Sequence, residues 1–156
     1  MKKKDDWNPD AMPTLTIGRI SWVLEKLDDQ RLKPVGITTA QLPVLVALKH
    51  GNRLTQKELT RIAGVEQSSM AQLLGRMERD NLILREPSKD DRRSSHVLLT
   101  DYALKQLEPG RDVLRQIDAE ACAGFSVAEK ATLVGLLARV AANIEGVLAE
   151  EGSKVR

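Results

Sequence analysis

Two acids and two arginines stand together in the stretch "SKDDRRSSH", residues 88–96, between two short apolar runs. Charged residues of this kind are the ordinary ending of a hairpin, so a solvated turn is the simplest interpretation. The alternative is that the arginine pair reaches a partner. The residues that precede and follow this stretch bear on that choice.

A second set of polar residues lies on one face of the preceding helical segment. Apolar residues recur at i, i+3, i+4 and i+7 from Met70 to Met77, which predicts an amphipathic helix. The opposite face carries short polar side chains and a cation, with no acid before Glu78: Gln67, Ser68, Ser69, Gln72 and Arg76. Such a face suits the major groove of DNA, where short polar side chains approach base edges and a cation contacts phosphate. The alternative is an ordinary amphipathic surface helix.

The elements that position these residues begin at recognisable capping patterns. Three pairs of residues have capping-box spacing, and each predicts the start of a helix: Thr38 with Gln41, Thr55 with Glu58, and Ser126 with Glu129. Gly64 ends the helix that follows Thr55, and a tight turn leads into the polar-faced helix. The runs "LIL" and "HVLL" on either side of the charged stretch predict a β-hairpin. Helix, turn, helix and hairpin together predict a winged helix-turn-helix.

The segment before this unit is predicted to form two helices. The first begins near Leu15 and ends before Pro34, where its apolar spacing breaks. The second is capped at Thr38 and runs to about His50, with a bend at its entry caused by Pro43.

The segment after the hairpin is also predicted to be helical. Thr100 caps a helix that Pro109 and Gly110 are expected to interrupt or kink. The last helix carries an apolar stripe from Leu133 to Leu148, which needs a covering partner. Similar stripes in the first helix and in the helix capped by Thr100 indicate that the terminal helices intertwine in a two-fold dimer. The alternative is a last helix that packs only on its own domain.

Composition bounds the class of protein. With 156 residues the chain most simply forms one domain with a sizeable core, and its net charge of +2 is too small to identify a partner. Aromatic residues, at 3%, are too few for a base-stacking platform. No apolar run approaches the length that spans a bilayer, and the N-terminus lacks the apolar core of a secretory signal. Because the single cysteine allows no internal disulfide, we expect a cytoplasmic protein with no membrane partner.

Three other classes of function find little support in the residues. A redox switch would need Cys122 as an exposed, reactive thiol, and a structural cysteine is favoured. A metal sensor would need clustered ligands, whereas His50 and His96 are isolated in the sequence. An enzyme would need a nucleophile paired with a base, or a phosphate-binding glycine loop, at a recognisable spacing. We therefore expect no cofactor, no metal and no catalytic residue.

The predicted lobe resembles the DNA-binding lobe of the MarR family of bacterial transcription regulators, over "LTQKELTRIAGVEQSSMAQLLGRMERDNLILREPSKDDRRSSHVLLT". The strongest markers are the wing sequence "DDRRSSHVLLT", the turn "GVEQSS" and the sequence "MERDNLILR" that leads into the wing. The flanks "RLKPVGIT" and "AGFSVAEKATLVGLLARV" are similar to the SlyA branch of the family. The resemblance thus covers nearly the whole chain beyond the N-terminal tail.

The resemblance implies a mainly α-helical fold with a small β-hairpin wing and long terminal dimerisation helices. The expected parts are a flexible tail (1–12), a helical dimerisation region (13–36 and 101–151), a winged helix-turn-helix lobe (37–100) and a C-terminal tail (152–156). The implied function is a sequence-specific, ligand-responsive repressor of the bacterial cytoplasm and nucleoid. It would act as a homodimer on a pseudo-palindromic site in double-stranded DNA. The alternative is a winged-helix adaptor for protein–protein contact.

The resemblance also implies roles for individual residues. The residues expected to contact DNA from the two helices are Thr55, Gln56, Gln67, Ser68, Ser69, Gln72 and Arg76. Asp91 and Arg93 match the family's wing pair, in which the acid orients an arginine that enters the minor groove. Arg92 is the neighbouring candidate, and the choice between the two arginines stays open. Gln72 stands where the SlyA branch has a cation, and Glu66 where many members have a better helix cap, so base preference is expected to differ.

An effector site is the last feature that the resemblance implies, because family members often bind small aromatic acids next to the dimer helices. Arg19 and Trp22, one helical turn apart, offer a cation and a flat face to an aromatic carboxylate or phenol. Leu42, Leu45 and Val46 would complete the wall. In the alternative, Trp22 belongs to the core and Arg19 is solvated. Leu42 stands where the SlyA-like pattern has an aromatic residue, so the identity of the ligand stays open.

Overall fold

The structure is a computed structural model and describes residues 8–87 and 95–154. Its α-helices in these ranges are α1 (Pro13–Leu32), α2 (Leu42–Leu48), α3 (Gln56–Ala63), α4 (Gln67–Arg79), α5 (Asp101–Ala121) and α6 (Val127–Lys154). Its strands are β1 (Leu54–Thr55), β2 (Ile83–Pro87) and β3 (Ser95–Leu99). The predicted fold class, mainly helical with a winged helix-turn-helix, is confirmed.

The chain divides into two compact units, and the division falls within α5. The first unit extends to Arg115 and the second begins at Gln116. The first contains all of the strands and the helices from α1 to α4. The second consists of the end of α5 and the whole of α6.

The core of the first unit lies between α2, α3, α4 and a three-stranded antiparallel sheet with the strand order β1-β3-β2. Its fully buried side chains include Leu45, Leu48, Leu59, Met70, Leu74, Met77, Leu82 and Val97. Strand β1 was not predicted from the sequence. It is two residues long, and its Leu54 pairs with Val97 of β3. Two residues are too few for an alternating pattern, so only the pairing with β3 reveals the strand.

The predicted capping boxes are confirmed by hydrogen bonds at three helix starts. The backbone N–H donates to the acid or amide three residues later at Thr38 (2.9 Å to Gln41 Oε1), Thr55 (2.7 Å to Glu58 Oε2) and Ser126 (2.8 Å to Glu129 Oε2). After Thr38 the chain first forms a 3-10 turn, Thr39–Gln41, and α2 then begins at Leu42. Pro43 therefore stands in the first turn of α2, where its missing N–H costs no helical hydrogen bond.

The expected interruption of α5 is wrong, because the helix runs continuously through Pro109 and Gly110. Pro109 is exposed, so its ring projects into solvent while the helix continues past one missing hydrogen bond. Gly110 is buried, and a Cβ atom there would lie 2.7 Å from Cδ1 of the buried Ile37. The glycine therefore permits close packing of α5 on Ile37.

Helix α6 is apolar, and its residues after Lys130 are exposed in the single chain apart from the half-buried Val140 and the undescribed side chains beyond Gly152. By length and composition alone, Val127–Gly152 is long and apolar enough to cross a membrane, with a mean hydropathy of 1.5. The expectation that no apolar run approaches this length is therefore wrong. Few charged residues, such as Arg139 and Glu145, interrupt this segment, and the alanines and glycines between its larger apolar residues are not polar. The mean hydropathy therefore stays high over the whole length. The core helices of soluble proteins, which are mostly buried, pass the same test, so length and composition alone do not establish a membrane span.

The contact of Gly110 with Ile37 makes a testable prediction about stability. We expect Gly110→Ala to lower the free energy of unfolding by up to about 1 kcal/mol, because the added methyl group must displace Cδ1 of Ile37 and the better helix propensity of alanine offsets part of this cost. In the Ile37→Val background, which lacks Cδ1, the same substitution should instead stabilise by up to about 1 kcal/mol, because alanine is the better helix former. Urea denaturation at one fixed protein concentration measures both values. The same sign in both backgrounds would contradict the contact.

Candidate nucleic-acid interface

Helix α4 presents a polar face to solvent because its opposite face is anchored in the core. Met70, Leu74 and Met77 are fully buried, and Leu73 packs against the same cluster. All of the candidate DNA-contacting residues of α4 are exposed: Gln67, Ser68, Ser69, Gln72 and Arg76. The sequence prediction of one buried and one exposed face is confirmed. The exposed face can donate and accept hydrogen bonds at its start and offers a cation one turn before its end.

The N-terminus of α4 is open. Gly64 ends α3 in the left-handed conformation (φ 64°), and Glu66 takes the N-cap position of α4. In the described part of the chain, the Glu66 side chain makes no capping hydrogen bond. The amide N–H groups of the first turn therefore stay available to a phosphate or to solvent. The exposed Glu66 carboxylate beside them opposes anion binding, so this end of the helix is a weaker phosphate site than one with a neutral cap.

Thr55 and Gln56 stand at the start of α3, which packs against α4. The Thr55 hydroxyl donates to Glu58 Oε2 (2.8 Å) and accepts from the Glu58 amide (3.3 Å), so it already forms the helix cap. The hydrogen bonds from the Thr55 backbone and then from its hydroxyl hold the pKa of Glu58 below its usual value, with help from the charges of His96 and Arg61. Both Thr55 and Gln56 are half-buried. Thr55 therefore orients α3.

The wing is formed by β2 and β3, which pair from Ile83 with Leu99 out to Pro87 with Ser95. Its predicted functional residues Asp91, Arg92 and Arg93 lie outside the described residues. The described strands bring two ion pairs to the base of the wing, which the sequence reasoning missed. Arg85 Nε lies 3.3 Å from Glu78 Oε2 of α4, and Arg53 Nη1 lies 2.6 Å from Glu86 Oε2. These pairs join residues that are seven and thirty-three positions apart, so no local pattern predicts them.

A cavity of about 330 Å³ lies between α2 and α5 within the first unit. Leu42, Leu45 and Val46, which the sequence proposed as a ligand wall, line it. Its other lining residues are Ile37, Lys49, His50, Leu107, Glu108, Gly110, Arg111 and Leu114. The sequence reasoning missed the basic residues at this cavity, although Lys49 and His50 lie one helical turn beyond Leu45 and Val46. An apolar wall with cations beside it can hold a small organic anion.

The other two proposed ligand residues, Arg19 and Trp22, lie on α1 and do not line this cavity. Trp22 is 58% exposed, and Lys26 Nζ lies 3.6 Å from the centre of its ring. The cation on the tryptophan face is therefore a lysine one turn away. The alternative placed Trp22 in the core, whereas in a single chain its side chain is exposed.

The helix-turn-helix, the wing and the exposed polar face of α4 together define a winged-helix protein of the DNA-binding type. Residues 35–94 match a family model described as the MarR family. The whole fold is similar to solved structures of such regulators, which supports a DNA-binding transcription regulator.

Three of these solved structures illustrate the similarity. A probable transcriptional regulator from Pseudomonas aeruginosa is 27% identical with a TM-score of 0.77, over 85% of this chain and 99% of that one. A mutant of MarR from E. coli, complexed with operator DNA, is 25% identical with a TM-score of 0.77, over 88% of this chain and 99% of that one. The PcaV transcriptional regulator from Streptomyces coelicolor, in complex with its natural ligand, is 22% identical with a TM-score of 0.76, over 88% and 97%. Because PcaV is only 22% identical, its similarity supports the fold and not a shared function.

Proposed function

We propose that this chain is a sequence-specific transcription regulator of the MarR family, on its SlyA-like branch, which represses by binding operator DNA as a homodimer in the bacterial cytoplasm. The observation that carries the proposal is the exposed face of α4, which is polar and free of acids from Gln67 to Met77 while its other face is buried. An adaptor surface has no physical reason to keep acids away from this face. A DNA-binding surface does, because every phosphate repels a carboxylate.

The described residues support a division of labour between α4 and the wing. Gln67, Ser68 and Ser69 project from the first turn of α4, where a recognition helix meets base edges in the major groove. Gln72 lies further along the same exposed face, and its amide can pair with adenine. Arg76 stands one turn later, placed for a phosphate.

The wing supplies the minor-groove contact in this proposal. Strands β2 and β3 extend away from the core and end beside residues 88–94. An arginine there, Arg92 or Arg93, would enter the narrow and electronegative minor groove. Asp91 would orient that arginine through a charge-assisted hydrogen bond.

Homodimerisation is supported by apolar surface that a single chain leaves uncovered. On α6 the exposed large apolar side chains are Val127, Leu133, Val134, Leu136, Leu137, Ile144, Val147 and Leu148. Helix α1 adds Leu15, Ile20, Trp22 and Val23. Large apolar side chains exposed along one helix are typical of an interface. In this proposal the helical segments 13–36 and 101–151 form the dimer and residues 37–100 form the DNA-binding lobe, so a two-fold axis places two α4 helices on half-sites about one helical turn of DNA apart.

The cavity between α2 and α5 supports an effector site. Its apolar wall can hold a small aromatic ring, and Lys49 and His50 can bind a carboxylate or phenolate. Arg111, which pairs with Glu108 in the absence of ligand, would exchange this partner for the ligand's anionic group. A ligand wedged between α2 and α5 would favour one arrangement of these helices over another. If only the unliganded arrangement fits both half-sites, ligand binding releases DNA.

A salt series of DNA binding tests the proposed function. We expect the parent to bind a duplex selected from a randomised library, with an affinity that falls steeply as salt rises. Arg93→Ala should weaken binding to all sequences by about tenfold, whereas Gln72→Ala should reduce discrimination at one base by about 1–3 kcal/mol. Fluorescence anisotropy measures both, and Arg115→Ala, an exposed arginine outside the lobe, serves as the control. Binding that is independent of salt, or no tighter than that of Arg92→Ala/Arg93→Ala, would favour the adaptor.

Sedimentation equilibrium tests the dimer. The parent should sediment at twice the chain mass of 17.3 kDa at micromolar concentration. Leu137→Glu should shift the protein towards the monomer, because it places a charge in the proposed apolar interface. Ala142→Glu is the matched control, since 100° per residue puts position 142 on the side of α6 opposite the stripe. A monomeric parent, or equal effects of the two variants, would refute the dimer.

Calorimetry with benzoate and salicylate tests the effector site. Arg111→Gln and Lys49→Gln should each weaken binding by about tenfold, because a charge-assisted hydrogen bond to the carboxylate is lost. Arg19→Gln is the comparison, because Arg19 belongs to the alternative site on α1. A larger effect of Arg19→Gln than of Arg111→Gln would move the site to α1. No binding of either compound would refute this effector class.

A further inference from the structure

Two adjacent residues of β2 carry opposite charges and form ion pairs with different elements of the lobe. Arg85 and Glu86 are neighbours in an extended strand, so their side chains project from opposite faces of the sheet. In the sheet, Arg85 is paired with Val97 of β3 and Glu86 with His96 of β3. One face of the wing is therefore held by Arg85, and the other by Glu86.

The Arg85 side chain connects the wing to the recognition helix. Its Nε lies 3.3 Å from Oε2 of Glu78, in the last turn of α4. The Arg85 side chain is 30% exposed and the Glu78 side chain 48%. This pair joins the helix proposed for the major groove to the strand that leads to the minor groove.

The Glu86 side chain connects the wing to the other edge of the sheet. Its Oε2 lies 2.6 Å from Nη1 of Arg53, which immediately precedes β1. Because the strand order is β1-β3-β2, this pair reaches across β3 from one edge of the sheet to the other. It therefore restrains the twist of the wing about its own axis.

These pairs lie at the last rung of the wing with a buried residue, Arg85 with Val97, and at the next rung, Glu86 with the half-buried His96. Ile83 of β2 and Val97 of β3 are buried and fix the base of the hairpin in the core. Beyond Ile83, the side chains of β2 are half-buried or exposed. Past the pairing of Thr55 with His96 the sheet has only the strands β2 and β3, and a two-stranded ribbon without a packed face is free to twist and bend. Ion pairs at the surface add little to stability, but they restrict direction where no packing does so.

We propose that Glu78 and Arg53 are positioning residues for DNA binding, which hold the wing at a set angle to α4 through Arg85 and Glu86. This inference rests on the proposed function, in which α4 and the wing enter neighbouring grooves. A binding site of this kind needs its contacting elements held to a fraction of an ångström by supporting contacts. Neither Glu78 nor Arg53 needs to touch DNA for this role.

The sign of the expected effect separates positioning from simple electrostatics. Glu78→Gln and Glu86→Gln each remove a negative charge near a polyanion, so electrostatics alone would strengthen DNA binding. Positioning predicts the opposite. We expect each variant to weaken binding to the selected duplex by about twofold to fivefold. The charge exchange Glu78→Arg/Arg85→Glu, which keeps an ion pair between α4 and β2, should bind within about twofold of the parent.

A double-mutant cycle with the wing tip provides the first measurement. In the parent, Arg93→Ala should weaken binding by about tenfold, whereas in the Glu78→Gln/Glu86→Gln background it should weaken binding by at most about twofold. Asp112→Asn is the matched control, because it removes a surface acid paired within α5 only. Tighter binding by the glutamine variants, or an undiminished effect of Arg93→Ala, would overturn the proposal.

A distance measurement without DNA provides the second test and separates the two hypotheses. Spin labels at Ala71→Cys on α4 and Pro87→Cys on β2, with Cys122→Ser, report the angle of the wing by pulsed electron resonance. We expect a narrow distance distribution in the parent, a broad one with Glu78→Gln/Glu86→Gln, and a narrow one in the separate variant Glu78→Arg/Arg85→Glu, which keeps both ion pairs. Equal widths would overturn the positioning role. If the widths change as expected but the parent binds no duplex, the proposed function fails while the ion pairs retain their hold on the wing.

Discussion

The burial of one face of α4 is the constraint on which the rest of the lobe depends. Met70, Leu74 and Met77 are removed from water against α2, α3 and the sheet. Because a helix has 3.6 residues per turn, this burial forces Gln67 and Gln72 outwards. Rotating the helix to hide the polar face would bury unpaired amides and a guanidinium, which costs several kcal/mol. The surface offered to DNA is thus set by the core.

The end of α4 is tied to the start of α5 by a single buried hydroxyl. Thr100 Oγ1 donates to the carbonyl of Asn81 (2.7 Å) and accepts from the amide of Ala103 (3.0 Å). Asn81 turns the chain with a positive φ of 57°, so α4, the wing and α5 meet at this hydroxyl. Two contacts therefore connect α5 to the lobe: the hydrogen bonds of this hydroxyl and the packing of Gly110 on Ile37. Both contacts are consistent with the proposed effector site, because they join α5, which lines the cavity, to the lobe.

The apolar surface of the terminal helices sets a second constraint, which acts between molecules. A helix as apolar and exposed as α6 is unfavourable in water, so it needs a partner surface. The same composition meets the length and hydropathy of a membrane span. The proposed function favours a second copy of the chain as this partner, because a two-fold pair of lobes is what a pseudo-palindromic site requires.

The sequence by itself determined the elements and the faces of the helices, because capping residues, helix-ending glycines and apolar periodicity act over a few neighbouring residues. The boxes at Thr38, Thr55 and Ser126 and the polar face of α4 were predictable for this reason. Only the tertiary structure decided what depends on distant contacts. The two-residue strand β1 exists through its pairing with β3, and α5 continues past Pro109 while Gly110 packs on Ile37. The ion pairs of the wing and the basic residues beside the cavity likewise join parts of the chain that no local pattern connects.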